Sequence, residues 1–170
     1  KTRMIVILSC AFFFLIACSG FDTLIPLFAT KELGVTTREW ARMGTMRGIG
    51  VFLGAIILGA LSDRLGQKII AGFSMLSLAF LLYGYAFGNK SLLWLMMPVS
   101  GALVSTIYVN LNTLTQKISS QHQGKANSAY RATLSFAGIL APIFATGLAA
   151  YWGGYRAVFL VLTLSAAISG

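Results

Sequence analysis

Three ionisable side chains stand inside long apolar stretches of this chain: Asp22, Arg47 and Arg131. An ionisable group surrounded by hydrocarbon is costly unless it faces a cavity or a partner, so these positions are the first place to look for chemistry. Asp22 lies about nine residues before a polar gap and Arg47 about eight after it; at a 1.5 Å rise per residue both sit roughly 12 Å from that gap. They are therefore level on adjacent antiparallel helices, and the spacing predicts an Asp22–Arg47 ion pair. Two roles are open to it: mutual neutralisation inside a helix bundle, or a charged lining for a polar path that breaks and re-forms during a cycle. No Asp or Glu follows Asp63. Any carboxylate proton relay within these residues must therefore use Asp22, and it would need the balance of pairing and desolvation to change between conformations.

Arg131 lies about two turns inside the fifth apolar run, where it either snorkels to the nearby interface or offers an anion contact within the bundle. Asn110, Asn112 and Gln116, towards the end of the fourth run, are polar donors at a similar level, although such residues more often join helices than touch a ligand. His122, in Ser-Ser-Gln-His-Gln-Gly, reads as a solvated loop residue. Cys10 and Cys18, on one helical run, are too far apart for a disulfide and read as small packing residues. The sequence has no metal-ligand spacing, phosphate-binding loop or nucleophile elbow, so neither a cofactor nor an enzyme is expected. An intramembrane protease would need a paired Asp, a Ser with a membrane-level His, or a metal motif.

The elements that must position these residues follow from composition. The chain is 57% hydrophobic and only 10% charged, with mean hydropathy +0.81. A soluble domain carries about 25% charged residues, so most of this exterior must face lipid. The net charge of +9 raises the question of nucleic acid, but the basic residues lie in the gaps between apolar runs and read as topology determinants. No nucleic-acid partner is expected. About 20 apolar residues cross a bilayer, and six such runs are predicted: Met4 to about Phe28, Trp40 to Leu61, Ile69 to Phe87, Leu92 to Leu114, Ala126 to Ala150, and from near Ala157 onward. The last is shorter than a full crossing and the chain starts at Lys1, so a fragment of a longer protein is expected. With a cytoplasmic N-terminus the inner side carries Lys1, Arg3, Arg64, Lys68, Lys117 and Lys125. The outer side carries Lys31, Arg38, Lys90 and Arg156, partly offset by Glu32 and Glu39. This small bias favours that orientation in a plasma (bacterial inner) membrane.

Between the second and third runs stands Gly59-Ala-Leu-Ser-Asp63-Arg64-Leu-Gly66-Gln-Lys68. This stretch resembles the signature loop G-x-L-x-D-R-x-G-R-K of the major facilitator superfamily of secondary transporters, with Gln67 in place of an arginine. The resemblance covers the whole chain. It implies an all-α membrane protein: one six-helix half of a twelve-helix fold, built from two inverted three-helix repeats at about 1–88 and 89–170, with the last helix truncated. The implied partners are a small-molecule substrate, the lipid bilayer and the other six-helix half of the same polypeptide. In the family Asp63 would approach a helix start of the opposite half, and Arg64 would pair with an acid on the fourth helix, together latching one conformation. This fourth run has no acid; Asn112 or Gln116 offers a weaker hydrogen bond. Two antiporter patterns are also incomplete. Met97 stands where an arginine would precede Gly101, and Ala141 replaces the second glycine before Pro142. The loop motif and Trp152-Gly-Gly-Tyr155-Arg156-x-x-Phe159 favour the N-terminal half.

Faint internal symmetry accompanies this. Arg47, Phe52 and Gly54 in the second run, and Arg131, Phe136 and Gly138 in the fifth, share R-x4-F-x-G. The pairs Gly44/Gly48 and Gly50/Gly54 are G-x-x-x-G spacings that let a neighbouring helix approach closely. Pro26, Pro98 and Pro142 each remove a helix hydrogen bond, and kinks are expected there. The functional expectation is half of a transporter moving a small solute by alternating access, with possible proton coupling; the competing class is a sensor or scaffold on the same architecture.

Overall fold

The computed structural model describes residues 2–118, 123–152 and 154–170. Among these every regular element is helical: α1 (Thr2–Lys31), α2 (Thr37–Leu65), α3 (Gln67–Phe87), α4 (Lys90–Ile118), α5 (Gln123–Trp152) and α6 (Tyr155–Ser169). The first five are long and apolar enough to cross a membrane, and α6 is a shorter apolar helix. All six apolar runs of the sequence are thus helices, extended at most ends by polar turns that the hydropathy signal does not reach. His122 lies outside the described residues.

Local chemistry sets the boundaries. Thr36 caps α2 with a capping box: its hydroxyl accepts the Glu39 N–H, and the Glu39 carboxylate accepts the Thr36 N–H at 2.9 Å. Between α2 and α3 a single residue turns the chain. That residue, Gly66, has φ +99°, a backbone region that a side chain strongly disfavours. The motif glycine at 66 therefore has a direct backbone reason; Gly59 meets nothing, and no contact in the structure explains it.

The end of the bundle where α1 starts is termed basal, and the opposite end apical. Two ion pairs clasp the apical connections, Lys90–Glu39 at 2.7 Å and Arg156–Glu32 at 3.3 Å. Packing follows one scheme twice: α2 lies mainly on α4 and α5 on α1, α4 meets α3 and α1 meets α6, and α3 packs on α6. Exchanging α1–α3 for α4–α6 leaves this pattern unchanged. Helices α2 and α5 are consequently the most open.

An aromatic spine fills the centre. Phe14, Phe21 and Phe28 are seven apart, so they share one face of α1, and all three are buried. Phe21 packs on Tyr85 at 4.8 Å between ring centres, Phe28 on Phe159 at 5.2 Å, and Phe14 edge-on to Tyr108 at 5.2 Å. The mirror image is on α3, where Phe73, Phe80 and Phe87, also seven apart, are all exposed. Such an apolar stripe would cost stability in water but suits contact with lipid tails.

The glycine pairs behave differently from one another. At Gly50 an added Cβ would overlap the Pro98 carbonyl, and at Gly54 the backbone of Ala102, so this pair seats α2 on α4. Gly101 of α4 is equally tight against the Arg47 carbonyl. Gly44 and Gly48 meet nothing. The expected second G-x-x-x-G contact is therefore absent within this bundle: those residues lie on the open side of α2.

Candidate functional site

The apical site begins with a helix that carries its own weak point. Proline at 26 cannot donate to the carbonyl four residues back, which belongs to Asp22. Asp22 therefore sits where the α1 hydrogen-bond ladder is interrupted. Its carboxylate lies 2.6 Å from the Arg47 guanidinium. The two side chains are 46% and 24% exposed, so the pair is neither sealed in the core nor free in solvent. Helices α1 and α2 otherwise touch little, and the pair is their main polar link. The Arg47 guanidinium also lies 5.9 Å from the centre of the Phe21 ring, an attraction between cation and ring face. Phe21 is in turn held by Tyr85, and the Arg47 backbone is held by Gly101. Four helices therefore fix one arginine. Met97, at the place of the antiporter arginine, is buried.

The basal site is built on α4 and α5. Tyr108 and Asn112 are one turn apart on α4, and Asn127 and Arg131 are one turn apart on α5, which places each pair on one face. With Tyr130 they line a pocket of about 310 Å³. Arg131 is exposed there, and no carboxylate is near it. The four acids of the chain are Asp22, Glu32, Glu39 and Asp63; the first three pair with Arg47, Arg156 and Lys90, and Asp63 forms no ion pair among the described residues. The hydroxyl of Tyr130 is buried with no hydrogen-bond partner among the described residues. Tyr108, Tyr130 and Asn127 escaped the sequence reading, although the one-turn spacing of Asn127 and Arg131 was available to find them.

Of the three amide residues singled out on α4, Asn110, Asn112 and Gln116, only Asn112 lines this pocket. Asn110 is buried against α2, where its amide oxygen accepts the Ser62 hydroxyl and its nitrogen donates to the Thr106 carbonyl at 2.9 Å. It joins helices, a correction to its expected place on a polar path. The reason is angular: two residues on a helix are about 200° apart, so Asn110 and Asn112 cannot share a face. Gln116 donates to Asn112 at 3.3 Å rather than to Arg64. The offered substitute for the missing α4 acid is therefore not in use, and Asp63 and Arg64 both stand exposed at the basal end with Lys68.

The model of the Major Facilitator Superfamily matches residues 7–170. The chain belongs to the major facilitator superfamily. It is a multi-pass membrane protein of that family, and the resemblance carried by the Gly59–Lys68 loop holds. It is 24% identical over 154 residues to a D-arabinitol transporter of Klebsiella pneumoniae, covering 84% of this chain and 36% of that protein. It is also 24% identical over 139 residues to a ribitol transporter of the same organism, covering 78% of this chain and 33% of the relative. The chain thus spans about a third of the length of the curated relatives it matches. No solved structure gives a significant match.

Proposed function

We propose that this chain is one six-helix half of a secondary transporter that moves a small polar solute by alternating access, with the other half supplied by the same polypeptide. Family membership supports the class. The two relatives named as polyol transporters point to small polyhydroxylated solutes. The observation that carries the site is the half-exposed Asp22–Arg47 pair. An ion pair fully enclosed by the helices would carry the desolvation cost of both charges and could not readily change partners. One left partly open, as here, can exchange partners, with a solute hydroxyl or a proton, as the path opens and closes.

In this reading Pro26 leaves α1 free to flex beside Asp22, while Arg47 is anchored by Phe21 and Gly101. The carboxylate is the moving partner. Asp22 is the proposed coupling residue if the transport is proton-driven, in either direction, since the rest of the chain's acids lie in connections or at helix ends. Arg131 and Asn112 form the basal part of the path. Asp63 and Arg64 act as the latch, presenting their charges to the opposite half. The N-terminus faces the cytoplasm of a plasma membrane, as the distribution of Lys and Arg favours.

The test is transport of ribitol and D-arabinitol by the full-length protein in proteoliposomes under an imposed proton gradient. Asp22→Asn should abolish gradient-driven flux while leaving solute binding in place. Unchanged coupled flux in the variant would remove Asp22 from the mechanism. Flux of no solute would sink the transport reading itself.

A further inference from the structure

The basal pocket has a charge that the chain does not balance. Every carboxylate in the sequence lies elsewhere, and three of the four are already paired. Around Arg131 the lining offers two amide side chains, Asn112 and Asn127, and two phenol hydroxyls, Tyr108 and Tyr130. The Tyr130 hydroxyl is the telling group. It is buried, it has no partner among the described residues, and leaving such a donor unused costs more than a typical hydrogen bond returns. A guanidinium flanked by neutral donors, with no acidic acceptor, matches a group that brings several acceptor atoms and a negative charge. Arginine suits this particularly well, because its planar fork makes two parallel hydrogen bonds to a carboxylate or phosphate. The pocket's volume, about 310 Å³, is at the small end for ligand sites.

We propose that the α4–α5 pocket is an oxyanion-binding site, in which Arg131 supplies the charge and Tyr130, Asn112 and Asn127 supply hydrogen bonds to a carboxylate or phosphate. The oxyanion is either part of a transported sugar acid or sugar phosphate, or a free inorganic ion held at the site. The assignment depends on the transport reading only for the choice between these two sources.

The experiment uses the full-length protein in detergent at constant ionic strength set with sodium chloride. Inorganic phosphate, D-arabinonate and ribitol are titrated by calorimetry and by thermal shift. Phosphate or arabinonate should bind saturably where chloride does not. Arg131→Gln should weaken that binding about tenfold or more, as expected for hydrogen bonds to a charged group. Tyr130→Phe should weaken it about two- to tenfold, and it provides the measurement should the arginine variant fail to fold. Arabinonate carried into proteoliposomes would place the anion on the solute; saturable phosphate binding without its transport would mark a resident ion. Anion binding no better than chloride, or unaffected by both variants, overturns the site. So does ribitol binding that depends on Arg131 while the anions do not bind. Ribitol flux without anion binding would sink this site and leave the transport reading standing; anion binding with no flux of any solute would do the reverse.

Discussion

Arg47 on α2 and Arg131 on α5 occupy the middle helices of the two helix triplets, and their surroundings differ in one decisive way. Arg47 has a carboxylate at 2.6 Å, an aromatic ring beneath it and a tight backbone contact behind it. Arg131 has amides and phenols around an open pocket and no acid at all. The shared packing scheme supplies both places, but only the side chains opposite decide whether the charge is locked or available. Arg47 faces the carboxylate of Asp22 on α1, whereas the α4 groups lining the pocket with Arg131 are uncharged, Tyr108 and Asn112 among them. In the proposed cycle the apical pair would open and close, and the basal pocket would take its charge partner from outside the chain.

The strongest way to break this contrast is to move the helix that carries Arg47. Gly50→Leu pushes a side chain into the Pro98 carbonyl, and overpacking against backbone should cost about 3 kcal/mol or more, seen as a lowered unfolding midpoint in detergent or as failure to assemble. Gly44→Leu, on the open side of the same helix, should leave the midpoint of this chain unchanged or higher, because replacing a helical glycine gains up to about 1 kcal/mol. Equal effects at the two positions would mean that α2 does not lie on α4 as described.

A smaller effect separates the two arginines directly. Asp22→Ala leaves Arg47 unpaired in a partly exposed setting, and the loss should be about 1–3 kcal/mol, between the values for surface and buried pairs. A double-mutant cycle of Asp22→Ala with Arg47→Ala should show coupling well above the error of the measurement. Arg131→Ala should cost less than about 0.5 kcal/mol, since nothing is left unpaired. A destabilisation at Arg131 as large as at Arg47 would erase the distinction between the sites.

The mildest prediction concerns Asn110. Its loss in Asn110→Ala strands the Ser62 hydroxyl and should cost about 1–2 kcal/mol in stability while leaving solute binding intact. Asn112→Ala should do the opposite, altering binding in the pocket with little change in stability. The pair sharpens the comparison because the two residues are near neighbours in sequence with opposite expected readouts.

Much of this was legible before any coordinates. The six spans follow from runs of apolar residues whose length the bilayer itself dictates. The Asp22–Arg47 pair follows from counting residues on both sides of a short connection, because antiparallel neighbours keep depth in register. The turn at Gly66 was less so: the apolar runs stop at Leu61 and resume at Ile69, and only the structure shows α2 and α3 running on until one residue separates them. The four glycines of α2 were less transparent: both pairs have the same spacing, yet only Gly50/Gly54 meets a neighbour. A repeat of four marks a helix face without saying what lies against it.

The sequence by itself determined that the chain is helical and membrane-embedded, that it belongs with a family sharing the Gly59–Lys68 loop, and that only one intramembrane arginine has an acid within reach. These are properties of composition and one-dimensional spacing, and they survive without knowledge of neighbours. The tertiary structure alone decided that Asn110 turns to Ser62 while Asn112 turns to Arg131, and that Tyr130 is buried unpartnered beside them. The physical reason is that an α-helix advances about 100° per residue, so adjacent polar residues face different helices. Which helix stands opposite is settled only when α1–α3 and α4–α6 pack together.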